Sequence, residues 1–216
     1  MKKIALILSG CGHRDGSEIT ESVSLLIALH QFGANVTCFA PDLEFEVVDH
    51  LTGKKNGEKR NVLIEAARIA RGKIQDLKEL KCTNFDGLAF SGGLGAVKNL
   101  SDWAVKGSHC QVLPAVAQLI KEFHQQSKPI GAACISPVLL AKILGIEGAE
   151  LTIGNDPETA REINKTGAHH VDCPVNDYVT DRLTKVITSP AYMYEALPHE
   201  VFKGLSGLAK ELVEMS

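Results

Sequence analysis

Short runs of consecutive apolar residues recur along the chain, each closed by glycine, serine or proline. Between them the apolar positions fall at helical spacing. Lys3 to Leu8 (KIALIL) runs into Ser-Gly-Cys-Gly, Asn35 to Ala40 (NVTCFA) into Pro-Asp, and Asp86 to Phe90 (DGLAF) into Ser-Gly-Gly. Pro129 to Ala133 leads into Cys134, and Leu151 to Ile153 and Val186 to Thr188 are two further short runs. Uninterrupted apolar strands have both faces buried, the mark of a parallel sheet. Helices are predicted from a Ser17 cap through Val23, Leu25, Leu26, Ala28 and Leu29, from Asn61 to a stop at Gly72, over Pro114 to His124, after Cys134, and over Pro198 to Met215. Each has a polar or proline start and an apolar face. Leu43 to Arg60 is charged and punctuated by glycine, and reads as a long loop. Strands alternating with helices, with no repeats or linkers, predict one doubly wound α/β domain over residues 1–216, its mainly parallel sheet covered on both faces.

In such sheets ligands bind outside the carboxyl ends of the strands. Three strand ends carry unusual loops, SGCGHRDGSE, SGGLGAVKN and ACISP, which are expected to converge on one crevice. Cys134 sits at the last of them. Small residues flank it (Gly131, Ala132, Ser136) and Pro137 follows in the first helical turn, the pattern of a nucleophile elbow. A helix N-terminus beside the sulfur is expected to lower its pKa and favour the thiolate. The alternative is a buried structural cysteine, since apolar strand–helix joints are common. The Gly92–Gly93 loop can supply an N–H that with that of Ile135 forms an oxyanion hole, the alternative being that the glycines only make a tight strand-to-helix turn. Glu18, just beyond the first loop, is placed to carry protons to and from the thiol, although a first-turn acid more commonly favours the helix dipole; Glu21 is the rival carboxylate or completes a helix cap. His13 lies in the first loop, within reach of a substrate. His170 and His199 are the other candidate imidazoles, and all three are more commonly solvated or structural.

Composition narrows the classes. The net charge of −3, with both signs interspersed, gives no basic stripe for a nucleic-acid partner. No segment has the apolar length of a membrane span. The apolar run in MKKIALILSGCG is too short for a secretory signal, so a buried first strand and a cytoplasmic protein are expected, or one in an organelle lumen after processing. Six cysteines are scattered without CxxC spacing, which argues against a disulfide framework and against zinc. SGGLGAV lacks the dinucleotide fingerprint, so no dinucleotide is expected there.

Several strings together carry a family resemblance: SGCGHRDGSEITE, RNVLIEAARIARGKI, SGGLGAVKNLS, GAACISP, LTIG and VITSPAYM, in order through nearly the whole chain. They resemble the enhancing-lycopene-biosynthesis family of isoprenoid-biosynthesis glyoxalases, within the class-I glutamine-amidotransferase-like, PfpI-type superfamily of flavodoxin-like folds. The resemblance implies a cofactor-independent glyoxalase that turns glyoxal into glycolate, as a homodimer, with Cys134 as the elbow cysteine and Glu18 as the acid of the first helix. The chain departs from the superfamily's proteases in having Ile135 where they place a histidine, and from the family in SGGLG for PGGFG and in GHRDG. These departures bear on peptidase activity and on the crevice walls. A second class of function fits the same thiol: a redox- or carbonyl-responsive regulator without turnover.

Overall fold

The computed structural model describes residues 1–216. In chain order its elements are β1 (Lys3–Ile7), α1 (Ile19–Gln31), β2 (Asn35–Ala40), β3 (Glu44–Val48), β4 (Lys55–Asn61), α2 (Val62–Ile69), β5 (Ile74–Asp76) and β6 (Gly87–Phe90). Short helices α3 (Gly95–Lys98) and α4 (Trp103–Lys106) precede α5 (Pro114–Gln125), β7 (Ile130–Ala133) and α6 (Pro137–Leu144). The chain closes with β8 (Glu150–Leu151), α7 (Pro157–Lys165), β9 (His169–His170), β10 (Val179–Asp181), β11 (Val186–Ser189) and α8 (Pro198–Met215).

Seven strands form one sheet in the order β10-β11-β7-β6-β1-β2-β5, parallel throughout except for β10, which runs antiparallel beside β11. The fold is the expected flavodoxin-like α/β arrangement with helices on both faces. Ile4 to Leu8 are at most 1 % exposed, which explains why β1 is apolar at every position after Lys3 rather than at alternate ones. Helix α1 lies against α8, and α5 against α6. Leu25, Ala28 and Leu29 of α1 are fully buried, and each leucine contributes roughly 1.5–3 kcal/mol through that burial.

Strand order reverses at β1, with β2 on one side and β6 on the other. The loops leaving β1 and β6 therefore diverge and leave a crevice at the carboxyl end of the sheet. The β7 loop opens onto it as well. No helix is long and apolar enough to cross a membrane.

Where the structure differs from the sequence reading, the reasons are local. Residues 43–60 are no loop. β3 and β4 pair as an antiparallel hairpin. Phe45 and Val47 point inward while Glu44 and Glu46 face solvent, and β4 is a charged outer strand whose Lys55 and Lys59 meet Glu46 and Glu44. The charges masked a period-two pattern that spans only five residues. β8 stops at Leu151 and pairs with β9, outside the main sheet. The three-residue edge strands β5 and β10 carry too few apolar positions to stand out.

Candidate active site

Cys134 occupies the joint between β7 and α6 with φ +60°, in the left-handed region that non-glycine residues rarely adopt. Holding it there costs on the order of 1–3 kcal/mol, and the surroundings impose it. Its backbone N–H donates to the Ser189 carbonyl at 2.9 Å. Ser136 Oγ accepts from the Ala133 N–H at 3.0 Å and donates to the Ala133 carbonyl at 2.7 Å, so the serine ties the turn on both sides. The sulfur-bearing side chain faces a cavity of about 510 Å³ that His13, Glu18, Gly93, Leu94 and Ile135 also line. The elbow read from the sequence is thus present in the backbone.

The two carboxyls of the first helix exchange their expected places. Ser17 does not cap α1. Its Oγ accepts the Ser9 N–H at 2.8 Å inside the β1 loop. The helix begins one residue later, with Glu18 as the cap, and Glu18 Oε2 accepts the Glu21 N–H at 2.6 Å. Glu21 then lies in the first turn, on the same face as Leu25, Ala28 and Leu29, and is fully buried. Its Oε1 accepts the Tyr192 N–H at 3.1 Å. Its Oε2 lies against Gly92 and Cys134 without a partner of good hydrogen-bond geometry. Glu18, half-buried, keeps a place on the cavity wall. The carboxyl turned toward the thiol is therefore Glu21, and Glu18 serves the helix N-terminus.

Burial, and after it the charge of Glu18, pushes the Glu21 carboxyl up to about 8, while the Tyr192 N–H, the Cys134 thiol and the Gly92 N–H draw it back. Burial likewise pushes the Glu18 carboxyl up, against the N–H groups it caps. The expected low thiol pKa is reversed. Burial, then the charge of Glu21, raises Cys134 well above its ordinary value, and the N–H groups of Gly93 and Ile135 only partly oppose this. The N-terminus of α6 beside the sulfur does not restore an ordinary thiol pKa, because burial is the larger cause. Burial thus favours the protonated form of both the thiol and the carboxyl.

The glycine loop after β6 divides its work. Gly93, at φ +96°, and Ile135 turn their N–H groups toward the sulfur. Gly92 does not join them. Its N–H lies toward the Glu21 carboxyl without hydrogen-bond geometry, and its carbonyl accepts the Glu18 N–H at 3.0 Å. A Cβ on Gly92 would overlap Glu21 Oε2 and Cys134 Cβ, so only glycine lets the three approach. His13 stands at the cavity edge, its ring edge-on to His50 at 5.1 Å between centroids, and its pKa is lowered first by burial and then by His50. His170 and His199 are not on the cavity wall. His170 lies beside Asp172 at 3.7 Å, and His199 lies in the first turn of α8. No group of three or more His, Cys, Asp or Glu side chains is placed to hold a metal ion.

A fourth loop, after β11, completes the site and went unread in the sequence. Ser189 anchors the elbow, Ala191 adopts φ +46°, and Tyr192 and Met193 close the cavity while the Tyr192 N–H holds Glu21. The Ser-Pro after the β11 run was the available signal, since it marks a turn at the same sheet edge as the other three loops.

Known proteins share this architecture. The human mitochondrial glutamine amidotransferase-like class 1 domain-containing protein 3 is 44 % identical over 99 % of this chain and 83 % of its own length. A rat protein named ES1 protein homolog, mitochondrial, is 43 % identical over 99 % of this chain and 84 % of its own. The crystal structure of an isoprenoid biosynthesis protein with an amidotransferase-like domain from Ehrlichia chaffeensis superposes with a TM-score of 0.93 at 37 % identity, covering 100 % of this chain and 99 % of that one. The DJ-1/PfpI family matches residues 3–196, a span that holds the elbow, both carboxyls and all four loops, and the chain belongs to that family.

Proposed function

We propose that the protein is a cofactor-independent glyoxalase that converts glyoxal to glycolate through a hemithioacetal on Cys134, with Glu21 as its acid and base. The observation that carries this reading is the buried, partnerless Oε2 of Glu21 beside a cysteine held at φ +60°. A desolvated carboxyl with a pKa near neutrality is suited to moving protons at neutral pH. The likeness to a protein described as acting in isoprenoid biosynthesis agrees with the lycopene-related family suggested by the motifs.

The reaction balances as the addition of one water to glyoxal. Glu21, ionised in a minority of molecules at neutral pH, takes the thiol proton as Sγ bonds to one aldehyde carbon. Charge on the aldehyde oxygen is held between the Gly93 and Ile135 N–H groups until Glu21 returns the proton, giving the hemithioacetal. The carboxylate then removes the carbinol C–H proton, and the electron pair moves toward the neighbouring carbonyl to form an enediol. Loss of the first hydroxyl's proton and protonation of the second carbon leave a glycolyl thioester. Water cleaves the C–S bond, releasing glycolate and regenerating the thiol. Ile135 fills the position where a histidine would serve peptide hydrolysis.

The test is steady-state glyoxal turnover by purified protein and by Cys134→Ala. A second reading is supported by the same carboxyl, because a protonated Glu21 would donate to an oxidised sulfur and favour a sulfinate. A sensor of that kind reacts once, so repeated turnover separates the two. A homodimer fits the stripe Ile19, Val23 and Ile27 on the outer face of α1, which is 48 %, 39 % and 52 % exposed. Sedimentation of the wild type against Val23→Glu tests it, and unchanged monomers in both would contradict it. Six unpaired cysteines suit a reducing compartment such as the cytoplasm.

A further inference from the structure

The cavity in front of Cys134 is much larger than the substrate just proposed. Glyoxal has four heavy atoms and fills on the order of 100 Å³ if each takes about a water molecule's share of liquid. The cavity measures about 510 Å³. Its walls beyond the reacting groups are His13, Leu94, Ile135, Tyr192 and Met193, and neither lysine nor arginine lines it. Glu18 is the carboxylate on the wall, and burial and the neighbouring His50 hold His13 toward its neutral form. An anionic tail would be desolvated there against like charge, with no cation to meet it.

The cavity also has a continuation. Leu94 and Ile135 border a second groove of about 620 Å³, which runs along the side chains of Trp103 and Val97. Two lysines stand on that groove, but Lys106 is paired with Asp102 and Lys165 with Glu162. A substrate arm crossing Leu94 and Ile135 thus meets apolar surface first and no free lysine beyond.

Building on the glyoxalase reading, we infer that the preferred substrate is an uncharged α-oxoaldehyde carrying an apolar arm, its aldehyde at Cys134 and its arm over Leu94 and Ile135. Glyoxal occupies only the reacting end of this site. The same proton transfer then turns R–CO–CHO and water into R–CHOH–COOH, with no further reactant.

The experiment measures kcat/KM of the purified full chain with glyoxal, methylglyoxal, propylglyoxal and dioxovalerate, whose arm of similar length ends in a carboxylate. Each value is divided by the rate of the same aldehyde with a small free thiol, which removes intrinsic reactivity. The corrected values should rise along the apolar series, propylglyoxal exceeding glyoxal by about tenfold or more, the discrimination that a filled apolar pocket gives. Dioxovalerate should fall about tenfold or more below propylglyoxal. Leu94→Asn, or Leu94→Ala should the first not fold, should shrink the propylglyoxal-to-glyoxal ratio to within about twofold. Glyoxal turnover with a flat series, or with dioxovalerate favoured, overturns this inference and leaves the glyoxalase reading standing. No turnover of any of the four overturns both.

Discussion

Glu18 Oε2 accepts the backbone N–H of Glu21 at 2.6 Å, and that bond fixes which of two carboxyls three residues apart faces the thiol. With Glu18 spent as the helix cap, Glu21 is carried one turn inward onto the buried stripe of α1, beside Cys134 and under Tyr192. The cap also places a charged neighbour close enough to raise the pKa of Glu21.

The two carboxyls should therefore respond differently to the same substitution. Glu21→Gln removes the proton carrier and is expected to lower kcat on glyoxal by about 10²–10⁴, the usual worth of general acid–base catalysis. Glu18→Gln weakens a cap, expected to cost on the order of 1 kcal/mol of stability by thermal unfolding, and leaves kcat within about tenfold. Equal loss of kcat in both variants would place the proton transfer on Glu18 after all.

The pH profile follows from the sign of the Glu21 shift. The base form is needed to accept the thiol proton, and the pKa is raised to about 8. Activity on glyoxal should rise with pH up to about 8 and level off above it. The charge of Glu18 contributes to the shift, so Glu18→Gln should move the rising limb toward acid. A profile already flat from about pH 6 would mean that another group accepts the proton.

Stability carries the same signature. Glu21 has an ordinary carboxyl pKa, 4.5, in the unfolded chain and about 8 in the folded one, so the folded state binds the extra proton between those values. The associated stability is fully present below 4.5 and is lost as pH rises toward about 8. Glu21→Gln should remove this slope, losing less stability than the wild type from about pH 5 to about pH 8 in denaturant titrations, by an amount on the order of several kcal/mol. Parallel curves for the two proteins would show that the carboxyl is not desolvated as described.

Gly92→Ala tests the close approach at the heart of the site. The added methyl overlaps Glu21 Oε2 and Cys134 Cβ, so one of them must move. The expected cost is about 1–3 kcal/mol of stability, together with a loss of glyoxal turnover larger than the stability loss explains. A fully active variant would show that the thiol and the carboxyl need not sit together.

Much of this was legible in the sequence because apolar burial is written in every residue of a parallel strand. β2 and α8 begin and end where they were read, β1 stops one residue short of its apolar run, and Cys134 was marked by the small residues around it. The carboxyl assignment was harder. Ser17 has the residue type of a cap and Glu18 does not, and a helix start shifted by one residue changes which acid is interior. The discriminating clue was that Glu21 lies four residues before Leu25, on the stripe continued by Ala28 and Leu29. The thiol's raised pKa could not be read, because desolvation depends on elements far apart in the chain: the Gly92 loop, α1 and Tyr192 all close on the same sulfur.

The most direct measurement is the formation of glycolate from excess glyoxal, followed by proton NMR, for the wild type, Cys134→Ala and Glu21→Gln at matched concentration. The account predicts many equivalents of glycolate per wild-type chain, none above the buffer reaction with Cys134→Ala, and a rate lower by about 10²–10⁴ with Glu21→Gln. Glycolate formed by Cys134→Ala at the wild-type rate would contradict it.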